Sequence, residues 1–142
     1  MRIKAHKRGF TLIELLVVST IIIILMGIGI ISYRGAQRKA RDSKRKSDLE
    51  QVRSALEMYR SDAADGYYPA TGWSAMVAAL ALGDYLGSPP VDPKGYSYTY
   101  QLGIGGYTYN LCAYLEGENP GTCSGATGCG TGIVCNYGVS NP

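Results

Sequence analysis

The chain switches sharply between apolar and polar segments, and its most apolar segment lies near the amino terminus. Sixteen of the 22 residues from Phe10 to Ile31 are Phe, Leu, Ile, Val or Met. A helix rises about 1.5 Å per residue, so this segment extends about 33 Å, close to the hydrocarbon thickness of a bilayer. The pattern predicts a membrane-spanning helix over residues 10–33.

A cleaved secretory signal peptide is the alternative interpretation of this segment. Such a peptide has a shorter apolar core followed by a cleavage site of small residues, whereas a basic amphipathic stretch follows here. A compact group of bases lies directly before the apolar segment: Arg2, Lys4, Lys7 and Arg8. By the positive-inside rule, residues 1–9 are expected in the cytoplasm.

The polar stretch after the apolar segment carries a helical pattern of its own. Apolar residues recur at steps of three and four positions and form one stripe of a helix over residues 34–61: Leu49, Val52, Leu56 and Tyr59. No proline lies between Phe10 and Ser61, so one helix of about 52 residues is expected. Its apolar stripe should pack on residues 62–142.

Residues 62–142, called the head below, carry the signals of a small mixed domain. A short helix is predicted over residues 73–82, and alternation of polar and apolar residues follows over residues 96–102, 107–115 and 132–137. Residues 103–106 are predicted to form a hairpin turn. Three or four antiparallel strands packed on the helix stripe would give an α+β fold. Tyrosine suits such a sheet, because one ring face packs while the hydroxyl stays in water.

Composition and charge divide the chain in the same way. With 46% hydrophobic and 18% charged residues, the chain is neither disordered nor collagen-like. The head holds 15 of the 19 glycines and 10 of the 12 tyrosines, so its core is thin and needs extra stabilisation. Residues 34–46, called the basic neck below, have a net charge of +6, against −5 for residues 61–142.

All four cysteines lie in the head: Cys112, Cys123, Cys129 and Cys135. Because the topology places the head outside the cytoplasm, two disulfides are expected, at about 2–4 kcal/mol each. Of three possible pairings, the preferred one joins two strands through Cys112–Cys135 and closes the glycine-rich loop through Cys123–Cys129. A structural zinc site is the rival interpretation, but the chain has no Cys-x-x-Cys pair and its sole histidine is His6.

Glu14 breaks the pattern of the apolar segment. A carboxylate in a membrane costs about 2.5–3.5 kcal/mol at the centre and less near an end, so such a residue usually has a partner or a role. The alternative is that Glu14, one turn from the start of the segment, extends to the interface. No catalytic triad, phosphate loop or paired-metal constellation can be assembled from the chain, so no enzyme, metal site or cofactor is predicted.

Residues 8–18, Arg-Gly-Phe-Thr-Leu-Ile-Glu-Leu-Leu-Val-Val, resemble the class III signal of type IV pilins and of the pseudopilins of type II secretion. In that family a prepilin peptidase cuts after the glycine and methylates the new amino terminus. The resemblance therefore implies a leader peptide at residues 1–9, cleavage between Gly9 and Phe10, and N-methylation of Phe10. It also implies a type IV pilin fold in which residues 10–33 form the filament core. Glu14 corresponds to the acid thought to neutralise the terminal amine of an adjacent subunit during assembly.

The resemblance extends over about the first hundred residues. Residues 59–69 match the tyrosine, acid, glycine and Tyr-Pro junction of the major pseudopilin, although residues 63–65 lengthen the turn, and residues 89–96 match its Asp-Pro turn. The major pseudopilin also binds calcium through a loop late in its head. The acids available here lack a recognisable calcium-loop spacing, so a calcium site stays unassigned: Asp84, Asp92, Glu116 and Glu118.

The resemblance implies a structural subunit that polymerises with itself after the prepilin peptidase has acted. An assembly ATPase and a platform protein would insert it from the inner membrane into a filament at the cell surface. A pseudopilin of type II secretion is the alternative within the family. A minor pilin that binds DNA for uptake is a third hypothesis, because the basic neck could contact phosphates. Anionic headgroups or acidic heads of neighbouring subunits could pair with the neck instead.

Overall fold

The main element of the fold is one long helix. The computed structural model describes residues 9–117, 123 and 128–141, and of residues 29–31 only the backbone. Helix α1 runs without a break from Leu12 to Asp62, so the predicted single helix is confirmed, with a start two residues later than expected. The chain divides into two compact units between Gln37 and Arg38, and α1 contributes to both.

In the first unit, α1 carries the apolar segment with its side chains exposed. The large apolar side chains from Phe10 to Ile28 are between 44% and 90% exposed. One window of 18 residues has a mean hydropathy of 2.8, and the helix is long and apolar enough to cross a membrane by length and composition. Together these side chains form an exposed apolar surface of the kind that marks a site of interaction with a membrane or another protein.

In the second unit, the rest of α1 meets a second helix and a small sheet. Helix α2 spans Trp73–Leu82, as predicted. Strands β1, β2 and β3 span Thr99–Leu102, Tyr109–Ala113 and Tyr137–Ser140. They form an antiparallel sheet in the order β1-β2-β3. The predicted α+β architecture, a long helix with a small antiparallel sheet, is confirmed.

The predicted apolar stripe of α1 forms one side of the core. Leu49, Val52 and Leu56 are fully buried, and Tyr59 packs against the same cluster while partly exposed. Helix α2 and the sheet supply the other side, with Met76, Leu80, Tyr100, Tyr109, Leu111 and Val139. Burying one large aliphatic side chain contributes about 1.5–3 kcal/mol, so this stripe is a main source of the stability of the contact between α1 and the head.

The expectation that tyrosine hydroxyls stay in water is wrong for the core tyrosines. Tyr98 and Tyr109 are at most 5% exposed. The Tyr98 hydroxyl donates to Asp48 Oδ2 at 2.8 Å, and the Tyr109 hydroxyl donates to Glu57 Oε1 at 3.0 Å. A buried hydroxyl needs a hydrogen-bond partner. Acids on the face of α1 that meets the sheet supply those acceptors, and burial, reinforced by these bonds, raises the pKa of both tyrosines.

The turn predicted at residues 103–106 joins β1 to β2 and contains a short 3-10 helix at Ile104–Gly106. Gly105 and Gly106 have φ angles of 81° and 79°. A side chain is disfavoured in this left-handed region, so glycine is needed at both positions.

The strand predicted over residues 132–137 is placed wrongly. Strand β3 begins only at Tyr137, and the preceding residues form an isolated bridge between Gly130 and Ile133. Gly130 and Gly132 both have positive φ. The chain therefore reverses direction here, where continuous extended pairing was expected.

The predicted disulfide pairing is also wrong, although the expectation of two disulfides is confirmed. The structure joins Cys112 to Cys123 and Cys129 to Cys135, with Cα–Cα distances of 6.0 and 5.2 Å. In the register of β2 and β3, the residue opposite Cys112 is Gly138, three positions beyond Cys135. The reversal between Gly130 and Ile133 instead brings Cys135 beside Cys129.

Candidate functional site

The amino-terminal site consists of Gly9, Phe10, Thr11 and Glu14. Phe10 is 90% exposed. The backbone N–H and the hydroxyl of Thr11 donate to Glu14 Oε2 at 2.9 and 2.8 Å, and the N–H of Glu14 donates to Thr11 Oγ1 at 3.3 Å. This reciprocal pattern is a capping box, in which each side chain satisfies a backbone donor at the start of a helix.

Sequence reasoning placed Glu14 as a lone acid and missed this partner. The signal was present, because a threonine followed three residues later by a glutamate is the capping-box pattern. Within its own chain the carboxylate is therefore held on the first turn of α1, one turn from Phe10. This places a fixed negative charge close to the Gly9–Phe10 bond.

The apolar segment beyond Glu14 satisfies its own polar groups. The hydroxyls of Ser19 and Thr20 donate to the carbonyls of Leu16 and Val17 at 2.8 and 2.7 Å. Both hydroxyls are thus satisfied within one helix turn, which suits an apolar environment. Among the residues described from Thr11 to Ile28, Glu14 is the one with an ionisable side chain.

A second arrangement, called the ion cluster below, joins α1 to two loops of the head. It consists of three cations and three carboxylates: Arg41, Arg45, Lys94, Asp42, Asp92 and Glu116. Arg45 is fully buried at its centre. Its Nε and Nη2 donate to Asp92 at 2.5 and 3.3 Å, and its Nη1 donates to Asp42 and Glu116 at 2.7 and 3.0 Å.

Backbone N–H groups complete the ion cluster. Asp42 accepts from the N–H groups of Glu116 and Gly117, both at 2.9 Å. Asp92 accepts from the N–H groups of Lys94 and Tyr96 at 2.7 and 3.2 Å. The cluster therefore fixes the turn before β1 and the segment after β2 onto the same face of α1.

The surroundings of Glu116 and Asp92 stabilise their charged forms. Hydrogen bonds from Arg41 hold the pKa of Glu116 well below its ordinary value, against the opposing effect of burial and with help from Lys94 and Arg45. Burial alone would raise the pKa of Asp92. The hydrogen bonds from Arg45 and from the N–H groups of Lys94 and Tyr96 outweigh that effect, so the pKa of Asp92 is lowered.

These shifts predict acid sensitivity of the head. A carboxyl group whose pKa is lowered by folding stabilises the fold above its unfolded pKa and loses that contribution as the pH falls. The ordinary pKa values are 4.5 for Glu116 and 3.8 for Asp92. We expect the free energy of unfolding to fall as the pH drops below about 4, by about 1–3 kcal/mol from Glu116 and by a smaller amount from Asp92.

Thermal unfolding of the full chain in detergent between neutral pH and pH 3 measures this loss. Glu116→Gln should flatten the pH dependence, because it removes one of the two titrating groups. Glu50→Gln is the matched control, since Glu50 is exposed and pairs with Arg53 at 3.4 Å. Equal pH profiles for the two variants would contradict the prediction.

The basic neck is divided between two environments. Arg41 and Arg45 belong to the ion cluster, and Lys44 Nζ donates to the carbonyl of Val91 at 3.0 Å. In contrast, Arg34, Arg38 and Lys39 are exposed. Lys46 Nζ lies 5.3 Å from the centre of the Tyr137 ring. Sequence reasoning treated the seven bases as one patch, but four of them contact the head, which leaves fewer cations for phosphates or other anions.

Comparisons with known proteins match the segment that contains the amino-terminal site. Residues 4–30 match the family model described as the prokaryotic N-terminal methylation motif. The chain is 34% identical over 109 residues to type II secretion system core protein G of Escherichia coli, an alignment that covers 69% of this chain and 74% of that protein. No solved structure gives a significant match.

Two further relatives show the range of similarity. Core protein G of Klebsiella michiganensis is 32% identical over 132 residues, which cover 84% of this chain and 90% of that protein. The type IV major fimbrial protein FimA of Dichelobacter nodosus is 34% identical over 103 residues, which cover 70% of this chain and 66% of that protein.

Proposed function

Because the chain belongs to the family of type IV pilins and type II secretion pseudopilins, we propose that it polymerises through the apolar half of α1 into a type IV pilus. Polymerisation follows cleavage between Gly9 and Phe10 and N-methylation of Phe10. The chain is a pilin-like structural subunit, and its relatives are structural proteins of the same kind.

The exposed apolar helix is the observation that carries this proposal. Its large side chains are uncovered from Phe10 to Ile28, and the segment is apolar enough to lie in a bilayer. A membrane covers these side chains before assembly, and copies of the same helix cover them in the filament. One contact repeated between copies, with different surfaces meeting, gives an open helical polymer.

In this scheme, Glu14 sets the axial position at which one copy of the chain docks against the next. Cleavage after Gly9 gives Phe10 a free amine, and Glu14 lies one helical turn away. An unpaired charge in an apolar environment is costly, whereas a matched pair costs much less. Pairing of Glu14 with the amine of an adjacent copy therefore favours one docking depth over its neighbours.

The amino-terminal motif and the apolar helix indicate that the chain is anchored in a membrane before assembly. In our proposal that membrane is the inner membrane, residues 1–9 face the cytoplasm, and prepilin peptidase removes them. An assembly ATPase with its platform protein then moves the subunit into the filament. DNA binding is not part of the proposal, because four of the seven bases of the neck contact the head.

A pseudopilus of type II secretion is the second candidate, and the comparisons favour it specifically. Several relatives of the chain are core proteins G of type II secretion systems, and one is a major fimbrial protein. Both assemblies use the same helix and the same processing. They differ in whether the polymer extends from the cell surface.

Isolation of filaments sheared from the surface of the native host tests the proposal. We expect this chain to be their repeating unit, identified by mass spectrometry and by immunogold labelling along the filament. Surface filaments without this chain, together with short fibres of the chain inside the cell envelope, would decide for the pseudopilus.

A further inference from the structure

The major pseudopilin that this chain resembles binds calcium through a loop late in its head, but the acids of this chain lack a recognisable calcium-loop spacing. In this chain Glu116 and Gly117 begin the late part of the head, with two residues between Glu116 and the end of β2 at Ala113. Of the acids considered from the sequence, Asp92 and Glu116 lie in the ion cluster, Asp84 lies apart from it, and Glu118 is outside the described residues.

The carboxylates of the ion cluster do not fit calcium. Calcium needs about six to eight oxygen ligands at about 2.3–2.6 Å. Both oxygens of Asp42, Asp92 and Glu116 already accept hydrogen bonds from side-chain or backbone N–H groups.

The charge around these oxygens also disfavours a metal ion. Arg41 binds Glu116 through two hydrogen bonds of 2.7 and 2.8 Å, and Lys94 Nζ lies 2.8 Å from the same carboxylate. A divalent cation here would face these two groups and the buried Arg45. Elsewhere in the described ranges, no three His, Cys, Asp or Glu residues are grouped to hold a metal.

We propose that Arg45 is the internal cation that joins α1 to the head, and that the head folds and assembles without calcium. The Arg45 guanidinium joins Asp42 on α1, Asp92 before β1 and Glu116 after β2, segments separated by up to 74 residues along the chain. The ring of Tyr96 lies 5.2 Å from its central carbon and covers one face.

The first experiment compares the full chain in detergent with about 1 mM calcium and with excess EGTA. Fluorescence of Trp73, the sole tryptophan, reports unfolding of the head because its ring packs on Tyr98 at 5.3 Å. We expect the two unfolding midpoints to agree within about 2 °C. A larger stabilisation by calcium, or calorimetric calcium binding with Kd below about 1 mM, would overturn the proposal.

The second experiment removes the internal cation. Arg45→Met should raise the unfolding equilibrium constant at least about 100-fold, because three carboxylates lose their common partner. Arg53→Met is the matched control and should change it less than about 5-fold, since Arg53 makes one long surface pair. Equal stability of the two variants would overturn the role of Arg45. If Arg45→Met does not fold, the comparison of the unaltered chain in calcium and in EGTA still tests whether the head needs calcium.

Filament yield separates this inference from the proposed function. We expect equal yields in calcium and in EGTA. Filaments that form only in calcium would overturn the calcium independence while supporting polymerisation. A chain that forms no filament in either condition would contradict polymerisation, and the unfolding midpoints would still test the role of Arg45.

Discussion

Replacing Glu14 by alanine should leave cleavage after Gly9 intact and lower the filament yield at least about 100-fold. The expected loss is that of breaking a charge pair in an apolar environment, about 3–5 kcal/mol. Without the carboxylate, the new amine of Phe10 enters the apolar interior of the filament unpaired. Quantification of sheared filaments against membrane-bound subunit measures this effect.

Two further variants separate charge from helix capping. Glu14→Gln keeps an oxygen that can accept the hydrogen bond from the Thr11 N–H, but it removes the negative charge. It should therefore fail to assemble like Glu14→Ala. Thr20→Ala is the matched control, because the Thr20 hydroxyl donates to the Val17 carbonyl of its own helix, and its yield should be unchanged. Normal yields from both Glu14 variants would refute the pairing.

Replacing Gly9 by valine should abolish cleavage and, with it, assembly. A bulky residue at the cut position blocks access of the peptidase to the peptide bond. Without cleavage, Phe10 does not gain the free amine that would pair with Glu14. The fold should not change, because a Cβ added at Gly9 meets no atom within 4 Å. Any loss of filaments is then attributable to processing.

The control for Gly9 is a glycine in an equally open position. A Cβ added at Gly35 also meets no atom within 4 Å, so Gly35→Ala should be cleaved normally. The intact mass of each variant in the membrane fraction gives the answer. A Gly9→Val chain that lacks its first nine residues would show that the glycine does not direct the cut.

The elements that sequence reasoning predicted well are those with local signals. Helix α1 follows from an apolar run, an apolar stripe at Leu49, Val52 and Leu56, and the absence of proline. The bounds of α2 and the turn between β1 and β2 follow from similarly short patterns. Each of these signals lies within a few turns of helix or one hairpin, so no knowledge of distant neighbours is needed.

The ion cluster could not be predicted, because its members are far apart in the sequence. Arg45 and Asp92 are 47 residues apart, and Arg41 and Glu116 are 75 residues apart. The sequence shows the charge of each residue, but no local sequence pattern indicates which base pairs with which acid. The pairing depends on the packing of two loops against α1, which only the folded chain provides.

The disulfides and β3 were predicted wrongly for one shared reason. Residues 128–135 contain three glycines, and the extended pattern read from Gly132 onward ignored their freedom to adopt positive φ. Because the chain reverses direction here, β3 begins only at Tyr137, and Cys135 lies away from Cys112. The cysteine count indicated two bonds, but their pairing depended on this turn.

The intact mass of the subunit in purified filaments tests the central claim most directly. We expect a chain that begins at Phe10, carries one additional methyl group on its amine and forms the bulk of the polymer. A chain from the native host that keeps residues 1–9 and stays dispersed as single molecules would contradict the account.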